Sequence, residues 1–431
     1  MKKQAAVYFL IVLCMVMCPV LVETAQAQQA SGEFTADIEL RPRFELRNGF
    51  KAPIDEDAQP AAFTEQRSRL NLNYKSTDLD VRLSIQDVRI WGDHNQIYKD
   101  DPSLNNLYEA WARYRFSGAT AVKVGRQALD YDNARFMGNL DWAQQGRSHD
   151  AVVFEYRRPN AGFSMDAGFT FNQADVFEPS RLTGNEYPLT GNNKTMQYVW
   201  MNKRYDNSGI SLLFHNDARQ VQDGPLVWRQ TAGANGFIGL DDITLRGEFY
   251  YQFGEDLRRN DVSAWMANAE ISYRGTYTLG ADLLSGTEAG AGENNSFDPL
   301  YGTNHKFYGW MDYFYVGNGH AEPGSPYAAG LINLYQKYSR NLSPSVNLQL
   351  HLHQFISPVD IRDAQGDVMS SYLGTEADVQ LTWRAADRAT FIFGYSQMFK
   401  TDTLDRIKGD RQTESYNSWA WVMLRFNPTI F

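Results

Sequence analysis

Arginines recur in steps of two along the first third of the chain: Arg41 and Arg43, then Arg47, Arg67 and Arg69, Arg82, and Arg113 and Arg115. A guanidinium presents forked donors that match a carboxylate bidentately. A row of them on one surface would guide anions. Carboxylates share the same alternation at Asp37, Glu39, Glu45, Glu65 and Glu109, so the alternative is pairing across strands that braces a wall. Catalysis finds less support. Ser148-His149-Asp150 has the residue types of a hydrolase triad, but neighbours on a strand point to opposite sides, and there is no Gly-x-Ser-x-Gly elbow. His351 and His353 lie two apart on one face and could bind a metal, but the sequence puts no acidic third ligand nearby. Solvated histidines are the simpler reading, and no metal, catalytic residue or cofactor is expected. Lys99-Asp100-Asp101-Pro102 fits no EF-hand spacing and reads as loop.

What must position these residues is a set of strands. From Phe34 to Arg47, Phe34, Ala36, Ile38, Leu40, Pro42, Phe44 and Leu46 alternate with Thr35, Asp37, Glu39, Arg41, Arg43, Glu45 and Arg47. Side chains alternate between the faces of a strand, so one face is oily and the other ionic. At about 3.3 Å per residue this stretch spans roughly 45 Å, long for a soluble protein. A closed transmembrane barrel supplies lipid to one face and water to the other. The alternation repeats to the end of the chain and predicts 18 strands, with His305–Val316 inside one long loop. Short turns such as 76–78, 206–209 and 274–276 alternate with longer loops, the pattern of an outer-membrane barrel with short periplasmic turns. Later inward faces carry Arg246, Glu248, Asp282, Glu376 and Asp378, with His215, His351 and His353.

The N-terminus has a charged start at Lys2-Lys3, an apolar run and Ala25-Gln26-Ala27, which predicts a signal peptide over 1–27 and a barrel over 28–431. Both cysteines, Cys14 and Cys18, fall in the signal, so disulfides and thiol chemistry are excluded. A net charge of −10 argues against nucleic acid as a partner. Aromatic residues make up 14% of the chain and suit interfacial girdles facing outer-membrane lipid. A soluble propeller would need a repeat that is not found. An energised receptor would need an N-terminal plug domain, for which there is no room. The alternating strand that closes on Phe431 resembles the signal read by the barrel assembly machinery. The segment 286–330 is expected to be external and to fold over or into the mouth, its cluster Phe307, Tyr308, Trp310, Tyr313 and Phe314 packing on the wall or stacking on sugars.

Five stretches in order resemble the alginate export family of Gram-negative outer-membrane proteins: Gln86–Asp93, Glu109–Tyr114, Lys123–Gln127, Trp142–Asp150 and Leu300–Gly309. The resemblance implies an 18-stranded barrel with a narrow, arginine-lined, anion-selective channel. Carried over residue by residue, it gives Arg67, Arg69, Asp87, Arg89, Glu109, Arg113, Arg126, Arg147 and Asp150 as channel-lining candidates beside Arg41 and Arg43; Lys306 is a further candidate. It places Asp87 and Arg126 inward, whereas strand parity aims both outward, so that either they lie beyond the hydrocarbon or a β-bulge, which Gly125 would permit, turns them inward. The alginate exporter has a long periplasmic turn; here those turns, 384–388 included, are short. The expectation is passive passage of small anions, with uronate oligosaccharides as the substrate class. Export of an alginate-type polysaccharide and, more remotely, a hydrolase are the alternatives.

Overall fold

The computed structural model describes residues 32–93, 105–173, 193–221, 224–315 and 319–431. The predicted signal peptide and the 99–102 loop lie outside them. Among the described residues are 18 strands: β1 (Glu33–Asn48), β2 (Ala61–Lys75), β3 (Leu79–Ile90), β4 (Asn106–Arg115), β5 (Thr120–Gln127), β6 (His149–Arg158), β7 (Phe163–Phe171), β8 (Thr195–Arg204) and β9 (Ser208–Gln220), followed by β10 (Leu226–Leu240), β11 (Ile243–Glu255), β12 (Asp261–Tyr273), β13 (Tyr277–Leu284), β14 (Leu331–Ser343), β15 (Val346–Ile356), β16 (Tyr372–Ala386), β17 (Ala389–Lys400) and β18 (Asn417–Phe426). Each strand runs antiparallel to its neighbours in sequence, and β1 also pairs with β18, so the sheet closes. Closure removes the free edges that an open sheet would expose. A short helix, α1 (Asp402–Ile407), lies between β17 and β18; the sequence reading did not anticipate it.

The wall is inverted relative to a soluble protein. On β1, Arg41, Arg43, Glu39 and Glu45 are buried, while Phe34, Ile38, Leu40, Phe44 and Leu46 are exposed. Ionic side chains turn inward and apolar ones outward, as a lipid-embedded barrel requires. Ala36 departs from its face because the C-terminal tail covers it: its N–H donates to the Phe431 carbonyl, and Phe431 stacks on Phe34. Exposed Tyr114, Phe116, Tyr205, Tyr277 and Trp383 gather at the short-turn end. Trp91, Phe171, Trp265 and Phe399 gather at the other. These form the two girdles.

Connections after even-numbered strands are short, and those after odd-numbered strands are mostly longer. Two of the long ones fold inward. The segments 128–148 and 285–330 meet each other inside the barrel, where Met137 bridges Tyr301, the Gly138 N–H donates to the Tyr301 carbonyl (2.9 Å), and Trp142 stacks on His305 at 4.5 Å. Phe297, Tyr308, Met311, Tyr313 and Phe314 from the longer segment pack with wall residues Met266, Phe355, Met398 and Trp419. The aromatic cluster therefore packs on the wall, one of the two expectations for it. No helix among the described residues is long and apolar enough to cross a membrane.

Candidate functional site

The inserted segment 128–148 is held between two walls of opposite charge. On the β1–β2 wall, Arg67 binds Glu39 (2.6 Å) and the Asp141 carboxylate (2.9 Å). Arg41 donates to the Asp141 carbonyl (2.7 Å), the Ala143 carbonyl (3.0 Å) and Gln144 Oε1 (3.0 Å). Arg69 donates to Gln86 (2.7 Å) and lies over the Tyr108 ring at 3.8 Å. Tyr108 and Glu109 both turn inward because β4 carries an extra residue opposite Ser84–Ile85, as at a bulge. Arg43 pairs with Glu45 (2.9 Å) and Glu65 and covers Trp142 at 4.4 Å. Arg41 and Arg67 are wholly buried, whereas Asp141 stays part open. Burial would raise the Asp141 carboxyl, but the positive Arg67 and Arg41 outweigh it and hold Asp141 below the ordinary aspartate value of 3.8.

Across the lumen the polarity reverses. Arg135 of the same segment reaches Glu248 on β11 (3.3 Å) and Asp282 on β13 (3.1 Å), with its guanidinium 3.9 Å from the Phe307 ring centre. Asn133 also donates to Glu248. Sequence reasoning missed Arg135 and Asp141, since both fall in a loop without periodicity. The only signal was that each complements a wall whose charges were legible.

Towards the short turns the arginines continue and are less enclosed. Arg82 pairs with Glu109 (2.7 Å), Arg113 with Glu155 (2.9 Å), and Arg115 with Asp80; these three side chains are 27–29% exposed. Towards the long loops is a cavity of about 1050 Å³, lined in part by Arg43, Arg47, Trp142, Arg147, Arg219 and Arg229. Arg147 donates to the carbonyls of Tyr301 and Gly302. Lys306 is exposed and donates to the Asn133 carbonyl (3.0 Å). Arg219 and Arg229 pair with Asp217 (3.1 Å) and Asp298 (3.0 Å).

Four candidates do not join this interior. Asp87 and Arg89 sit opposite Ser68 and Gln66, while their strand neighbours Gln86 and Val88 sit opposite Arg69 and Arg67; the uninterrupted β2–β3 register therefore turns Asp87 and Arg89 outward, where they pair at 2.6 Å. Arg126 and Asp150 also face outward and pair at 3.0 Å, with side chains 41% and 61% exposed. Gly125 has φ +121° and a Cβ there would run into the Ala110 carbonyl, but the β4–β5 register runs through without a shift, so no bulge turns Arg126 inward. Parity prevails over the resemblance at all four positions. His149 is buried inward and Asp150 faces out, so the Ser-His-Asp run forms no triad.

The sequence model of a family described as alginate export matches residues 33–417. No curated protein matches the chain. Among solved structures, the outer-membrane protein OpdK from Pseudomonas aeruginosa is 13% identical, with a TM-score of 0.54 over 92% of this chain and 99% of its own. OccK9 (OpdG) from the same organism is 12% identical, with a TM-score of 0.58 over 92% and 99%. OccAB1 from Acinetobacter baumannii is 12% identical, with a TM-score of 0.58 over 94% and 100%. At such identities these likenesses show the fold.

Proposed function

The chain belongs to the alginate export family of outer-membrane β-barrels, and on that premise we propose that it is a passive channel preferring small anionic solutes, with uronate oligosaccharides as the substrate class. The observation that carries this reading is a succession of inward arginines. It runs from the part-open Arg115, Arg113 and Arg82, past the buried Arg67 and Arg41, to Arg43 and Arg47 at the cavity. At its centre the Asp141 carboxylate sits where a solute carboxylate would bind, and it remains partly open to solvent. An incoming anion would compete with Asp141 for the same guanidiniums. Most arginines also pair with acids, so the same residues brace the wall and guide the solute. The dense packing of 285–330 in the interior and the short turns favour small solutes over a polymer. A role without catalysis is the matching reading: the one triad-like run is split by parity. The N-terminal 1–27 would be removed as a signal, and 286–330 would enter the lumen from the external end of the barrel.

Reversal potentials in planar bilayers across a salt gradient test the reading. Wild type is expected to prefer anions, and uronate oligosaccharides to block its current. The triple substitution Arg82→Gln, Arg113→Gln, Arg115→Gln is expected to lower the anion preference several-fold, with Arg126→Gln leaving it unchanged. Cation preference in wild type would end the proposal.

A further inference from the structure

His351 and His353 on β15 share an inward face, and the β15–β16 register sets Asp378 opposite His351 and Glu376 opposite His353. One ring nitrogen of each histidine and a carboxylate oxygen of Asp378 lie within 4.8 Å of one another. We propose that these three side chains bind a divalent cation of the zinc class in the barrel wall.

The hydrogen bonds around the cluster set the donor atoms. Asn333 uses its amide nitrogen to donate to Asp282 (2.9 Å) and to the Phe307 carbonyl (3.1 Å). Its oxygen is therefore the acceptor facing His353 Nδ1 at 3.0 Å. Nδ1 carries the proton, and Nε2 is left with a bare lone pair. That lone pair faces Asp378 Oδ2 at 3.9 Å. The geometry leaves both oxygens of the buried Asp378 without a well-aligned hydrogen bond, with the Ser396 hydroxyl, the Trp310 N–H and Glu376 as its polar neighbours, and Nδ1 of His351 has no partner among the described residues. Two imidazoles and a carboxylate converge here, an arrangement that a cation would hold together. A metal-bound histidine whose other nitrogen is held by an outer partner is the usual support for such a site. Two imidazoles and a carboxylate are a zinc-type donor set that leaves a fourth position for water.

The cluster requires modest closing. Bonds of about 2.0–2.1 Å hold tetrahedral donors roughly 3.3 Å apart, so from separations of up to 4.8 Å the side chains must converge by up to about 1.5 Å. His351 is the less buried of the two histidines. Lys337 is paired opposite His351 on β14, and its ammonium lies 4.4 Å from the Tyr335 ring centre, which offers that charge an alternative partner. On the inner side Trp310 covers His351 (4.8 Å), and the Met311 N–H donates to Glu376 (2.8 Å), so a bound ion would sit where the segment 285–330 meets the wall.

Tag-free barrel, refolded in detergent and dialysed against Zn²⁺, is expected to retain a stoichiometric ion on metal analysis, with Co²⁺ in its place giving the visible absorption of a tetrahedral site. His353→Gln and Asp378→Asn are expected to lose both signals while keeping the heat-modifiable gel migration of a folded barrel. If either fails to fold, the less buried His351→Gln decides the matter by the same two signals. Wild type that retains no zinc, or a folded His351→Gln that retains as much as wild type, overturns the proposal. The first of these results would mean that a shared proton bridges the acceptors.

Discussion

At the residue scale, Asp141 is the group on which the β1–β2 arginines converge. Asp141→Asn keeps the shape and removes the charge. Breaking a fully buried pair costs about 3–5 kcal/mol. Because Asp141 is 42% exposed, a cost of about 1–2 kcal/mol is expected, read as a lower denaturant midpoint for vesicle-folded protein. The same variant should raise anion preference in bilayers by freeing Arg41, Arg67 and Arg69; unchanged selectivity would assign those arginines to bracing alone. The pH dependence has a defined sign. A carboxyl depressed in the folded state contributes stability that is present above its unfolded value, and that stability is lost as pH falls through the lower folded value. With the ordinary value at 3.8, the clamp stays intact from neutral pH down to about 4. Loosening is expected only in more acid solution, and a conductance step between pH 5 and 7 would have to come from another group.

At the element scale, the segment 128–148 is fastened at both ends of its reach, by Asp141 to a basic wall and by Arg135 to an acidic one. The two anchors differ in burial. Arg135, Glu248 and Asp282 are all shut away from solvent, so Arg135→Gln leaves two uncompensated buried carboxylates. The expected cost is about 3–5 kcal/mol, clearly more than for Asp141→Asn, with increased current noise as the segment loses its hold. Equal costs for the two variants would show that burial does not separate the anchors. The strands themselves were readable because alternation in a two-sided environment specifies facing residue by residue. Asp87, Arg89, Arg126 and Asp150 show the strength of that rule: their outward placement follows from parity, and the inward placement implied by resemblance fails because the β2–β3, β4–β5 and β5–β6 registers run past them without a shift. Loops carry no such period, so neither α1 nor the meeting of 128–148 with 285–330 could be read in advance.

At the scale of the whole molecule, a closed ring with fat outside and charges inside makes each outward position a test of the membrane assignment. Ile38 is on the exposed face of β1; Ile38→Arg is expected to destabilise the vesicle-folded barrel by about 2–4 kcal/mol. A neutral effect would place Ile38 beyond the hydrocarbon. The sequence alone determined the alternation, the strand count, the inward arginines and the asymmetry of turns and loops, because each follows from chemistry between near neighbours along one strand. Only the tertiary structure decided which loops enter the lumen, that Asp141 and Arg135 clamp opposite walls, and that Asp378 stands beside His351 and His353. Those pairings join residues far apart in the chain, and their partners are set by strand register and by the closing of the ring, to which no local pattern refers.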